Sequence, residues 1–418
     1  MKFDVHNLDK LVKNFKAGQV AQCYQEWLKY TTDPEILQIV KGDVISFTDS
    51  PPYNSSVRPC NVSRETRLAM DKEIKDMLTT GIVVKCDSEE GQFLSPIFPV
   101  PKPDGSIRII LNLKRLNESV EYFHFKMDTI KVVLANVTQD CYMAALDLKS
   151  AYHSVKIDEQ FQKYLRFKWN EEFLQFTCYP NGLGPCPRKF TKLMKPPLSY
   201  MRDLGHFIMG YIDDFFLKGY DKQKCGAALA VAIPLLQSLG FTIHPGKSQL
   251  IIFLGFVINS CDMTVRLTDE KKEKLLSLVD YILSQKNVII RLVASVVGKI
   301  VSSLPASLPG ALYYRNLERE KNEALKQVKG DYEAKMLLSK SSRLELKWWK
   351  ENIKTTFAPI HWPSITREMS NDASGNNGWG ASVSAHMPIG GAWTAEQADI
   401  HINVKELLAV FYALRSFC

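Results

Sequence analysis

Phe207-Ile-Met-Gly-Tyr-Ile-Asp213-Asp214-Phe-Phe-Leu217 sets two adjacent carboxylates between two apolar runs. Apolar stretches on both sides of a short polar break predict a β-hairpin whose acidic tip lies at a sheet edge. Neighbouring carboxylates repel, and they are costly to desolvate unless they face water or a cation neutralises them. A solvated turn meets that requirement, since Asp is a common turn residue, and so does a bound cation. Asp147 bears on the choice: it ends the apolar run Tyr142-Met-Ala-Ala-Leu146 and precedes Lys149-Ser-Ala-Tyr-His-Ser154, where a strand gives way to a turn or short helix. By itself Asp147 reads equally as a cap or turn residue. Two strands that end in acids and lie side by side would gather three carboxylates, an oxygen-rich setting suited to a pair of Mg²⁺ ions roughly 4 Å apart.

Outward from this stretch, 418 residues exceed what one compact core usually holds, so several packed units are expected. No internal repeat or low-complexity tract is present, and the organisation follows from periodicity and Pro/Gly punctuation. Residues 1–90 form a lead-in with helical patterning, the turn-rich Asp49-Ser-Pro-Pro-Tyr-Asn-Ser-Ser56 and an amphipathic stretch from Arg64 to Thr79. Residues 91–260 alternate short strand-like runs with turns and a few helices, which predicts an α+β unit with an antiparallel sheet. Residues 261–355 are mostly helical with charged faces, interrupted by Ser303-Leu-Pro-Ala-Ser-Leu-Pro-Gly310. Residues 361–418 return to strand-like text and close on an amphipathic helix from Asn403.

Composition narrows the class. With 45% hydrophobic and 23% charged residues and no apolar run of roughly eighteen residues, no membrane partner is expected. The first residues lack the apolar core of a secretory signal, so the chain is expected inside the cell, in cytoplasm or nucleus. Nine scattered cysteines without a Cys-x-x-Cys pair indicate neither a disulfide framework nor a zinc site. A net charge of +8 suits a polyanionic partner without demanding one.

Tyr211-Ile-Asp-Asp214 resembles the Tyr-x-Asp-Asp motif of reverse transcriptases, and Asp147 falls where the first palm Asp of that family lies. Ser95-Pro-Ile-Phe-Pro-Val-Pro-Lys-Pro-Asp-Gly-Ser-Ile-Arg108 with Leu111-Asn-Leu-Lys-Arg-Leu-Asn117 is similar to the family's fingers hairpin, which makes Lys102 and Arg108 the expected triphosphate-binding pair. Tyr179-Pro-Asn-Gly-Leu-Gly-Pro-Cys-Pro-Arg-Lys-Phe190 resembles the motif in which a glycine, here Gly182, lets backbone approach the nucleotide. Asn181 stands where the family has Gln, and Tyr179 where it has Leu. Tyr152 matches the aromatic gate against a 2′-hydroxyl, although a tyrosine there suits a core position as well. Lys247, in Gly240-Phe-Thr-Ile-His-Pro-Gly-Lys-Ser248, matches a lysine of the later palm motif and either protonates departing pyrophosphate or is a solvated surface group. Phe253-Leu-Gly-Phe256 resembles the primer grip.

The resemblance implies a right-hand polymerase with fingers, palm and thumb. It also implies two Mg²⁺ ions, with Mn²⁺ as a substitute, held by Asp147, Asp213 and Asp214. One ion activates a primer 3′-hydroxyl and the other holds the triphosphate. Deoxynucleotides and an RNA or DNA template-primer are the implied partners, with an element-encoded Gag or recombinase as a further one. The flanks Trp27-x-x-Tyr-Thr-Thr-Asp33 and Leu344-Glu-Leu-Lys-Trp-Trp349 look most like tyrosine-recombinase retrotransposons of the DIRS type.

Asn371-Asp372-Ala-Ser-Gly-Asn-Asn-Gly-Trp-Gly-Ala381 and His401-Ile-Asn-Val-Lys-Glu406 are similar to the opening of a ribonuclease H domain, with Asp372 and Glu406 as its first two acids. Such sites use about four carboxylates, so a truncated nuclease segment is expected, with apolar surface over Leu407-Leu-Ala-Val-Phe-Tyr412 exposed. The alternatives to an active polymerase are a remnant that binds nucleic acid without extending it, and a protein whose relevant activity is the nuclease.

Overall fold

The computed structural model describes residues 15–57, 60–102, 105–248, 250–361, 368–383 and 387–417, with the side chains of 244–248 and 250 excepted. The chain divides into two compact units, Met1–Ile360 and His361–Cys418.

At the centre of the first unit is a four-stranded antiparallel sheet in the order Phe207–Tyr211, Asp214–Gly219, Tyr142–Leu148, Ile243–Ser248. Strand side chains alternate between faces, and both faces are covered. Ala144, Leu146, Ile208, Phe215 and Leu217 enter one core, while Met143, Met209 and Phe216 enter another. The nearly continuous apolar text of these strands follows from that two-sided burial.

The first core also takes in the lead-in. Helix Pro34–Lys41 starts at Asp33, whose carboxylate accepts from the amides of Glu35 and Ile36 at 2.8 and 3.3 Å, and it buries Ile36, Ile39 and Val40. Helix Arg64–Thr80 is capped by Ser63, buries Met70, Ile74 and Met77 at helical spacing, and ends on Gly81 in the left-handed region. Helix Cys186–Asp203 stays unbroken through Pro196 and Pro197, because its buried face, Phe190, Leu193, Met194, Leu198 and Met201, outweighs the lost hydrogen bonds.

Four helices, Asp269–Ser284, Ile290–Ser303, Arg315–Gln327 and Lys340–Asn352, line the second core with residues such as Leu275, Val279, Val293, Val296 and Trp349. Trp349 is fully buried there and donates its indole N–H to the Tyr313 carbonyl at 2.8 Å. The buried Glu345 carboxylate accepts from the amides of Asn316 and Leu317 at 3.0 and 2.9 Å, which satisfies two donors in the first turn of the preceding helix, Arg315–Gln327.

The second unit pairs Met369–Ala373, Gly378–Val383 and Ile389–Ala392 as an antiparallel sheet, and helix Ile402–Phe417 packs on it through Ala409. Leu407 and Phe411 on that helix are 70% and 50% exposed, as expected, while Leu408 and Tyr412 turn toward the small core.

Candidate active site

The acidic tip forms because Tyr211 and Asp214 pair directly, leaving Ile212 and Asp213 as a two-residue turn. Ile212 lies in the left-handed region at φ 56°, a conformation that costs a β-branched residue on the order of 1–3 kcal/mol. The Leu148 amide donates to the Asp213 carbonyl at 2.9 Å and ties the tip to the neighbouring strand. In that strand Asp147 stands opposite Asp214 in register. All three acids therefore meet at one end of the sheet.

The electrostatics follow from this placement. Burial, reinforced by the charges of Asp213 and Asp147, pushes the Asp214 carboxyl up to about 6. Asp213 is raised as well, chiefly by burial and by Asp147, against the opposing pull of a backbone hydrogen bond and Arg108. Asp147 is the exposed member. Among the described residues no three His, Cys, Asp or Glu side chains converge as a closed metal site, so an ion here has to draw these carboxylates together. The donor chemistry fits a hard cation, which takes carboxylate oxygens together with water and phosphate.

Beside the acids opens a cavity of about 410 Å³ lined by Lys102, Arg108, Tyr152, Asn181, Asp213 and Glu73, among others. It gathers Lys102, Arg108 and Tyr152 on one wall system with an acid of the tip. Lys102 also pairs with Glu73 at 3.6 Å. Tyr152, in the 3₁₀ turn Tyr152–Ser154, is half-buried, and burial raises its phenol well above the usual range.

Gly182 lies at φ 104°, which favours glycine, and a Cβ there would sit 3.4 Å from the Leu111 carbonyl. Asn117 clamps this loop, donating to the Gly182 carbonyl and accepting from the Gly184 amide, both at 2.9 Å. The backbone of Lys247 pairs with Ala144, and its side chain lies outside the described residues.

Sequence reasoning assigned no role to Glu73, Asn117 or His153. His153 lines the cavity, and its Nδ1 is buried with no hydrogen-bond partner; burial, then Arg108, holds the imidazole down to about 4, so it is neutral near pH 7. Its position beside Tyr152 was the available signal. In the second unit Asp372 is exposed on the first strand and lines an open cavity of about 850 Å³ with Ser374, Asn377 and Trp379. Glu406 is half-buried on the packed helix and does not line that cavity.

Comparison with known proteins gives this geometry its context. Residues 100–279 match the family described as reverse transcriptase (RNA-dependent DNA polymerase). The chain is 25% identical over 209 residues to the Pro-Pol polyprotein of simian foamy virus type 1, covering 49% of this chain and 17% of that relative. It is 25% identical over 217 residues to the Gag-Pol polyprotein of koala retrovirus, covering 49% of this chain and 13% of the relative. The chain thus spans under a fifth of the length of these curated relatives. Among solved structures it is similar to a foamy viral protease-reverse transcriptase in complex with RNA/DNA hybrid, with a TM-score of 0.62 and 17% identity over 95% of this chain and 55% of that one. The corresponding complex with dsDNA gives 0.61 and 18% over 100% of this chain and 86% of that one. The mixed helix and sheet architecture is therefore that of a polymerase of this kind. Residues 100–279, which hold the three acids and the basic pair of the cavity, thus match the reverse transcriptase family model and are similar to retroviral Pol polyproteins.

Proposed function

We propose that the chain is an RNA-directed DNA polymerase of a retrotransposon, of the DIRS type, that adds deoxynucleotides to a primer 3′-hydroxyl on an RNA or DNA template. The observation that carries this reading is the register of Asp147 against Asp214 at the sheet end, next to a cavity holding Lys102, Arg108 and Tyr152. Asp147, Asp213 and Asp214 would hold two divalent ions, Mg²⁺ by choice. When bound, such ions supply activation of a hydroxyl nucleophile and neutralisation of a leaving phosphate.

The chain's own residues do the rest. Lys102 and Arg108 bind the triphosphate as charge-assisted donors. The Tyr152 ring occupies the space a 2′-hydroxyl needs, which selects deoxynucleotides. Gly182 lets backbone approach the nucleotide, and Lys247 stands as proton donor to pyrophosphate. Neutral His153 adds no charge to the cavity. The His361–Cys418 unit is read as part of a ribonuclease H-like fold with Asp372 and Glu406 as its acids.

DNA primer extension on a poly(rA) template with Mg²⁺ and dTTP tests the proposal, beside the Asp213→Asn variant. Incorporation by wild type that the variant lacks supports it. Equal inertness of two folded proteins that still bind duplex refutes it in favour of a nucleic-acid-binding remnant.

A further inference from the structure

The Tyr152 ring leans edge-on against two others. Tyr179 lies 6.4 Å away at 74°, and Phe190 lies 5.5 Å away, also at 74°. Both supports are fully buried, so neither ring can yield without repacking. Their anchorage converges on a single carboxylate. The Tyr179 hydroxyl donates to Asp43 Oδ2 at 2.7 Å. Lys189, the residue before Phe190, donates to Asp43 Oδ1 and Oδ2 at 2.7 and 2.9 Å and to the Val44 carbonyl at 2.6 Å. All three ammonium protons are thus used in a place where the Lys189 and Asp43 side chains are only 12% and 5% exposed. Burial and the neighbouring Asp43 raise the Tyr179 phenol well above its ordinary value, so it remains a donor throughout the working pH range.

The Asp43 backbone is committed to the same region. Its amide donates to the Lys156 carbonyl and its carbonyl accepts from the Asp158 amide, both at 2.9 Å, which seats it beside the segment that follows the Tyr152 turn. The Tyr179 amide donates to the Val155 carbonyl at 3.0 Å from the other side. A buried ion pair is a poor source of net stability but a strong geometric constraint, because leaving either partner unpaired is costly. Phe190 is backed in turn by Phe241 at 6.0 Å, and Phe241 by Trp27 at 6.4 Å, so the column behind the gate also runs into the lead-in.

We propose that Asp43 is a positioning residue for sugar discrimination: by fixing Tyr179 and Phe190 together, it sets where the Tyr152 ring stands in the nucleotide cavity. The inference rests on the polymerase reading given above and extends it to a lead-in residue that reaches Tyr152 through Tyr179 and through Lys189 beside Phe190. Its loss lets the gate ring recede, and ribonucleotides then enter more readily. Sub-ångström displacement of a positioned group changes rates severalfold.

The test uses the full chain and two variants, Tyr179→Phe, which removes one hydroxyl and leaves the Asp43–Lys189 pair, and Asp43→Asn. Primer extension with dTTP and with UTP gives the ratio of kcat/KM values, and 3-fluorotyrosine labelling with ¹⁹F NMR reports the Tyr152 ring, assigned by its loss in Tyr152→Phe. The expected result is a fall in discrimination of about three- to tenfold in both variants, carried by a lower KM for UTP, together with a shifted or broadened Tyr152 resonance. Unchanged discrimination and resonance in folded Tyr179→Phe protein overturn the proposal. If wild type extends no primer, the polymerase reading fails, and the resonance alone decides the positioning: movement in the variants upholds it and constancy overturns it.

Discussion

Replacing Asp214 with Asn in metal-free protein should raise thermal stability at about pH 8 and do so less at about pH 5. Burial and the charges of Asp213 and Asp147 lift this carboxyl from 3.8 to about 6 in the folded protein. A raised acid pKa means that the folded state binds the proton more tightly than the unfolded chain. Ionisation therefore costs stability, fully above about pH 6, and the cost fades as pH falls from 6 toward 3.8. A shift of roughly two units corresponds to about 3 kcal/mol at 1.36 per unit. Water reaches this half-exposed group and screens it, so roughly 1 kcal/mol is the expected effect, or about 1–3 °C in the midpoint for a unit of this size. Asn keeps the shape and removes the charge. Melting curves in chelator at both pH values provide the assay, and on the proposed metal-binding role added Mg²⁺ should then raise the wild-type midpoint more than the variant's. A variant that melts at or below the wild-type temperature at pH 8 would refute the claim that burial and the neighbouring charges make the ionised Asp214 destabilising.

Further expectations concern the cavity and the second core. Glu73→Gln should lower the KM for dNTP about two- to threefold with kcat little changed, since Glu73 lies 3.6 Å from Lys102 and, on the proposed role of Lys102, would compete with the triphosphate for it; steady-state kinetics decide, and a raised KM contradicts it. Trp349→Ala should cost about 3–5 kcal/mol by denaturant titration, because a fully buried indole and its hydrogen bond to Tyr313 are lost together. Trp349→Phe should recover part of that loss.

Much of this was legible because it is local. The hairpin around Asp213 and Asp214 follows from apolar flanks and a two-residue acidic tip, and Asp147 from a strand that stops at an acid. The helical stretch from Arg64 followed from its 3.6-residue spacing and ends one residue past the expected Thr79. What escaped is non-local. Asp43, Tyr179 and Lys189 lie 136 and 146 positions apart along the chain, and no periodicity links them. Tyr179 in place of the family's Leu reads as a departure in sequence, yet its hydroxyl has a buried partner. Pro196 and Pro197 would break an isolated helix and are overridden by packing that only the assembled core supplies. The closeness of Glu73 to Lys102 depends on how a helix and a hairpin strand meet, and neither segment's pattern encodes it.

The proposed polymerase activity is best measured by single-nucleotide DNA primer extension on an RNA template with Mg²⁺, wild type beside Asp213→Asn at matched folding and duplex binding. Incorporation by wild type and a loss of at least about a hundredfold in the variant are expected. Equal extension by both proteins, or none by either, would contradict the proposal.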